Sequence, residues 1–255
     1  MGYLGKIIQM WGFARSFWMY RSNPLRRKRL AGIYSRFIGA GDLCFDIGSH
    51  IGSHLSIFLA LGARVVALEP HPGCARIIRA LYGRNPRAII LEKAVSDAAG
   101  VQILQISTLS PTLSTLDRNW IRTVGKDKNF SGERWDASVP AETTTLDLLV
   151  KEYGRPVFCK IDVEGAEFRV LQGLSVPLAS LSFEYISAAI EPALAAVDRL
   201  SVLGTYEYNW IPGEGNPFQS AEWIGPEKMK SILQALSKGR GSGDVYARLE
   251  KNRKW

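Results

Sequence analysis

Three cysteines in 255 residues are too few for a disulfide framework. Cys44 and Cys159 sit in apolar strand-like runs and read as small buried thiols, so nothing demands an oxidising compartment. Histidine is as scarce, at three residues, and no spacing among them supports a zinc site. No metal is assigned on that basis, although hard carboxylate ligands for a divalent ion are present. Neither glycine nor proline recurs at a fixed period, which excludes collagen-like and solenoid architectures. No apolar run is long enough to span a bilayer. Acidic residues are missing altogether before Asp42.

That last absence locates the charge. The formal net charge is +8, and eight bases precede Asp42: Lys6, Arg15, Arg21, Arg26, Arg27, Lys28, Arg29 and Arg36. The chain beyond them carries 24 bases and 24 acids and is neutral. Residues 1–41 therefore read as a basic arm, and its aromatic residues Trp11 and Trp18 stand at helical spacing around Arg15. The cluster Arg26 to Arg29 follows the apolar part of the arm, the reverse of a secretory signal. A cytoplasmic protein is expected. The arm either packs on the body or, through residues 1–38, contacts an anionic membrane surface. A neutral body argues against nucleic acid as the partner.

With 46 % apolar residues the body can build a core. Leu43–Ile47 is a short apolar run that reads as a buried strand. The glycine-bearing stretch Gly48–Gly52, a helix over 53–61 and a strand over 64–69 follow. A second helix over 72–81 and a third strand from Ala88 complete a βαβ pattern, which right-handed crossovers turn into a parallel sheet. The second half repeats it. Strands are predicted over 156–162, 181–185, 205–211 and 244–249, with helices over 146–153, 165–171, 192–203 and 226–236. Two stretches keep no period, an insertion over 108–141 and a loop over 212–225. Both read as loops bordering the crevice at the carboxyl ends of the strands.

Three groups of residues carry chemistry. Asp46, Gly48 and Gly52 frame the loop after the first strand, where glycine allows close backbone approach and a helix start offers free N–H groups. Glu69 ends the second strand, where a carboxylate can accept both hydrogen bonds of a ribose diol. His50 stands at the second glycine position of a Gly-x-Gly-x-x-Gly motif and adds bulk where the pyrophosphate of NAD must pass. S-adenosylmethionine, a sulfonium without phosphates, is favoured over NAD. The third group is Lys160-Ile161-Asp162-Val163-Glu164-Gly165-Ala166-Glu167. Its carboxylates either cap a helix and pair with Lys160 or Arg169, or orient a substrate and take a proton from it.

The stretches CFDIGSHIGSH (44–54), VVALEPHP (65–72), EKAVSDAAG (92–100), TTLDLL (144–149), KIDVEGAE (160–167) and FEY (183–185) occur in an order that resembles the FkbM family of S-adenosylmethionine-dependent methyltransferases. The resemblance implies an α/β, Rossmann-like class I methyltransferase fold. Its seven-stranded sheet has the order 3-2-1-4-5-7-6, with strand seven antiparallel. It implies methyl transfer to oxygen on a small-molecule or glycan acceptor. The methionine end of the cofactor would lie near Asp46 and Gly48, the ribose at Glu69 and the adenine amino group at Asp97. Asp162, Glu164 and Glu184 would face the acceptor. The candidate general bases are His50, His54, Asp162, Glu164 and Glu184; Asp162 and Glu164 are preferred, with His50 in reserve and His54 more simply a packed residue. A nicotinamide-dependent oxidoreductase and a non-catalytic module anchored by the arm are the alternatives.

Overall fold

The computed structural model describes residues 23–250. The aromatic stretch Trp11 to Trp18 lies outside the described residues. Among the described residues helix α1 (Pro24–Tyr34) comes first, with Pro24 in its first turn and the Asn23 side chain accepting from the Arg26 N–H. Strand β1 (Leu43–Ile47), helix α2 (Ser53–Ala60), β2 (Arg64–Leu68), α3 (Pro72–Tyr82) and β3 (Ala88–Leu91) form the first βαβαβ unit. Next come the short strand β4 (Ala94–Val95), β5 (Gly100–Ile106), α4 (Arg118–Val124) and β6 (Ala137–Thr144). The second half runs through α5 (Leu146–Tyr153), β7 (Phe158–Ile161), α6 (Glu167–Gln172), β8 (Ser180–Ile186) and α7 (Glu191–Leu203). It closes with β9 (Tyr206–Pro212), α8 (Pro226–Leu236) and β10 (Ser242–Leu249).

The main sheet has seven strands in the order β3-β2-β1-β7-β8-β10-β9. Counting its own strands in chain order, this is 3-2-1-4-5-7-6, with β10 antiparallel to both neighbours. The order reverses between β1 and β7, which pair in parallel with Asp46 opposite Lys160. Successive side chains of β1 point to opposite faces. Phe45 and Ile47 enter a core with Val170, Leu181 and Phe183, whereas Cys44 enters a second core with Leu55, Phe58 and Phe158. All three cysteines are buried and free.

The second core also holds Leu30, Ile33 and Tyr34 of α1. Burying each such side chain stabilises by roughly 1.5–3 kcal/mol. The helix is therefore seated on the sheet, while Arg27, Lys28 and Arg29 on its other faces are exposed.

A second sheet of three strands, β4-β6-β5, departs from the sequence expectation. Residues 137–141, read as the end of the irregular insertion, are the first part of β6. Pro140 masks this strand in the sequence because it has no N–H to donate. It is tolerated because β4 pairs with β6 only at Thr143 and Thr144, leaving β6 an edge at Pro140. The helix expected from Gly165 starts later, at Glu167. Glu164 (φ 54°) and Gly165 (φ 90°) adopt left-handed backbone that a right-handed helix does not admit.

Candidate active site

The glycine loop and the acidic loop meet where the strand order reverses. Gly48 has φ 81°, and a Cβ there would lie 1.8 Å from the Asp162 carbonyl oxygen. The close approach leaves the Gly48 and Ser49 N–H groups bonded to the Leu68 carbonyl, each at 2.9 Å. His50 is left-handed, with φ 48°. Its backbone N–H donates to Glu69 Oε2, and the His71 N–H donates to Glu69 Oε1, both at 2.7 Å. Two N–H groups thus fix the Glu69 carboxylate, and each oxygen keeps a further lone pair. Burial pushes this carboxyl up to about 7, against the lowering effect of those two bonds.

A cavity of about 390 Å³ opens above these loops. Gly48, His50, Glu69, Asp162, Glu164 and Glu184, all expected from the sequence, line it. Leu68, Pro70, Val95 and Leu104 give it an apolar wall. Burial, followed by mutual repulsion with neighbouring carboxylates, pushes Glu164 and Glu184 well above the usual range. Burial also pushes the His50 imidazole down to about 4, so it is neutral at physiological pH. Beneath Asp162 lies Lys160, only 1 % exposed, with its Nζ 2.6 Å from Asp162 Oδ2 and 4.0 Å from Asp244 Oδ1. Burial disfavours the ammonium, yet Asp162 and Asp244 hold it charged.

Other expected residues stand apart from the cavity lining. Asp46 is buried under the loop, where its Oδ2 accepts the Leu55 N–H at 3.0 Å. Gly52, with φ 80°, starts α2. Asp97 faces outward, accepting from Ser96 and from Arg169 at 2.8 Å, which hold its carboxyl below the usual range. Of the expected pairings of the cluster's carboxylates with Lys160 or Arg169, one forms, between Lys160 and Asp162. Arg169 takes Asp97, and Glu167 turns beneath the loop to accept the Val163 and Gly165 N–H groups. His71 caps α3 through Nδ1.

The insertion reaches the same loop. Thr115 Oγ1 donates to the Glu164 carbonyl at 2.6 Å. Trp120 lies against Gly165, where a Cβ would fall 2.1 Å from the indole. Asp117 caps α4 and so aims Trp120. Trp120 packs edge-on against Phe130 and Trp135, and none of these three rings lines the cavity.

Sequence reasoning missed one side of the cavity. Arg26, His54 and Glu214 line it, with Glu214 paired to Arg26 and 3.2 Å from His54 Nε2. His54 Nδ1 is 2.8 Å from the Tyr34 hydroxyl. The signal was the lone acid of Gly213-Glu214-Gly215 in a stretch already read as bordering the crevice.

The donor set tests which cofactor fits. Ser53 Oγ, Glu164 Oε2 and Glu184 Oε2 are buried without a hydrogen-bond partner among the described residues. Of the lining bases, Arg26 is paired with Glu214 and Lys93 with Glu142, against five lining carboxylates. A cationic polyol such as S-adenosylmethionine fits that set, and a pyrophosphate does not. The oxygens of Asp162, Glu164 and Glu184 also lie within 4.8 Å of one another, as do ligand atoms of His54, Asp162 and Glu214. Either set could reach a cation, in competition with Lys160.

A model of the methyltransferase FkbM domain matches residues 46–200. The hexuronic acid methyltransferase AglP of Haloferax volcanii is 29 % identical over 156 residues, 59 % of this chain and 58 % of that protein. An O-methyltransferase from Bacillus cereus, solved with S-adenosylhomocysteine, superposes with TM-score 0.48 at 13 % identity over 98 % of this chain and 92 % of that one. A precorrin-6y C5,15-methyltransferase from Geobacter metallireducens gives TM-score 0.45 at 12 % identity, covering 89 % and 87 %. The family match takes in more than half of the chain, including both loops that build the cavity, and the chain belongs to the FkbM methyltransferase family.

Proposed function

We propose that this protein transfers a methyl group from S-adenosylmethionine to a hydroxyl oxygen of a sugar-containing or small polar metabolite. The observation that carries the reading is Glu69, a buried carboxylate fixed by two backbone N–H groups at the edge of the cavity. In this reading it accepts both hydroxyls of a ribose, with the cofactor's amino-acid end beside the Gly48 backbone and Leu68 and Val95 offering a face to its adenine. The relative named for hexuronic acid supports a sugar acceptor. Its match covers 58 % of that protein's length, so its substrate does not transfer directly.

When bound, S-adenosylmethionine supplies a methyl group already activated on sulfur, so the chain's task is alignment and proton removal. The Glu164–Glu184 pair faces the acceptor. Burial, and then the closeness of the two carboxylates, raises the proton affinity of the pair well above that of a free carboxylate, which suits it to take a proton. This pair would take the hydroxyl proton while the acceptor oxygen receives the methyl group that bound S-adenosylmethionine would supply. Asp162, neutralised by Lys160, orients the acceptor. His50, neutral and within the glycine loop, remains the second candidate base.

Among the described residues no helix is long and apolar enough to cross a membrane. Contact with an anionic membrane surface through residues 1–38 is part of the same proposal. It draws support from the exposed Arg27, Lys28 and Arg29 beside Leu25, which is 66 % exposed. Co-sedimentation with vesicles containing phosphatidylserine should be lost when residues 1–22 are removed and Arg27, Lys28 and Arg29 are neutralised. Persistence would refute it. The catalytic reading is tested by labelled methyl transfer with Glu164→Gln and Glu184→Gln, each expected to cut kcat by about 100-fold. Unchanged turnover in both would remove the base assignment.

A further inference from the structure

The acceptor side of the cavity carries four carboxylates, Asp162, Glu164, Glu184 and Glu214. The cation on this wall is Arg26. An arginine at the mouth of a sugar site is the natural fork for a uronic acid, because guanidinium and carboxylate match in bidentate geometry. Here that fork is already engaged by the protein's own carboxylate, Glu214.

Glu214 is built into place from both sides. Gly213 (φ 62°) and Gly215 (φ 79°) fold the chain tightly around it, and Gly215 lies against the Arg26 side chain, with a Cβ there 3.4 Å from Arg26 Cγ. Its other oxygen meets His54 Nε2 at 3.2 Å. A carboxylate only accepts, so Nε2 carries the proton and donates to Glu214. Nδ1 is then the acceptor for the Tyr34 hydroxyl at 2.8 Å. Tyr34 is itself fully buried in the second core, so the chain Tyr34–His54–Glu214–Arg26 anchors the carboxylate to the body of the fold.

We infer that Glu214, by occupying Arg26, is the specificity residue that admits neutral or cationic acceptors, such as a plain hexoside or an amino sugar, and bars those bearing a carboxylate. This rests on the methyltransferase reading above. A uronate entering this wall meets the Glu214 carboxylate where a free guanidinium would be needed, next to the crowded Glu164–Glu184 pair, so like charges face each other and its arginine is taken.

The test is methyl transfer from labelled S-adenosylmethionine by the full chain to three probes: methyl glucoside, methyl glucosaminide and methyl glucuronide. The wild-type protein is expected to methylate the first two at least about tenfold better than the glucuronide. In Glu214→Ala the released Arg26 should raise transfer to the glucuronide by about tenfold or more, and adding Arg26→Ala should abolish that gain. Glu214→Gln, which keeps the shape of the loop, should move in the same direction. Equal or better wild-type transfer to the glucuronide overturns the inference. So does transfer to none of the three, or no gain in either Glu214 variant. Saturable binding of S-adenosylmethionine by the wild-type protein, measured alongside, separates these outcomes from failure of the methyltransferase reading itself.

Discussion

Gly48 tolerates no side chain, because its Cβ would occupy the Asp162 carbonyl oxygen and its φ of 81° is unfavourable for other residues. Gly48→Ala is expected to lower stability by about 2 kcal/mol or more, read as a drop in urea midpoint. Glu69 makes a functional prediction. Its carboxyl is pushed up to about 7, and the ionised form is the stronger acceptor for ribose hydroxyls. Affinity for S-adenosylmethionine should therefore rise as pH increases through about 7, and Glu69→Gln should flatten that rise and weaken binding about tenfold above it. Glu167 tests the opposite consequence of burial. Its pKa is raised from 4.5 to about 7, so its contribution to stability is present below the unfolded value and is lost as pH rises through the folded one. Glu167→Gln keeps the acceptor for the Val163 and Gly165 N–H groups. It should gain on the wild type by about 2 kcal/mol between pH 5 and pH 8 in urea unfolding. Glu69 and Glu164 were legible from strand ends and motif order. The pairing of Asp97 with Arg169 was not legible, because the two stand 72 residues apart and no local pattern displays it.

At the scale of elements, continuous apolar runs announced β1, β2, β7 and β8, because buried parallel strands need apolar residues on both faces. The three-stranded sheet was hidden. Its β5 reads ambiguously, with Val101 69 % and Ile103 45 % exposed, and β6 contains Pro140. The insertion between them meets the acidic loop through Trp120 on Gly165 and the Thr115 bond to Glu164. Trp120→Ala should cost about 3–5 kcal/mol if the insertion and the body unfold together. If the insertion unfolds alone, hydrogen exchange should show protection lost in 111–136 while β1 and β7 stay protected. Either outcome should be accompanied by weaker cofactor binding, since the acidic loop loses its outer support. Retained affinity would show that the insertion does not shape the cavity.

For the whole molecule, the order of the main sheet followed from the family resemblance, and the crevice position followed from the order. The wall made by Arg26, His54 and Glu214 did not, since His54 and Glu214 stand 160 residues apart and meet only after the chain has closed. The charge asymmetry acquires a structural meaning at this scale. The end of the basic segment folds onto the body as α1, and Arg26 from it reaches the cavity, so arm and site share an edge. The central claim is that the cavity is a sulfonium cofactor site centred on Glu69. It is tested most directly by calorimetric titration of the full chain with S-adenosylmethionine and with NAD, repeated on Glu69→Gln. Saturable binding of S-adenosylmethionine, weakened in the variant, with no binding of NAD, is the predicted result. Binding of NAD alone, or S-adenosylmethionine bound equally by both proteins, would contradict it.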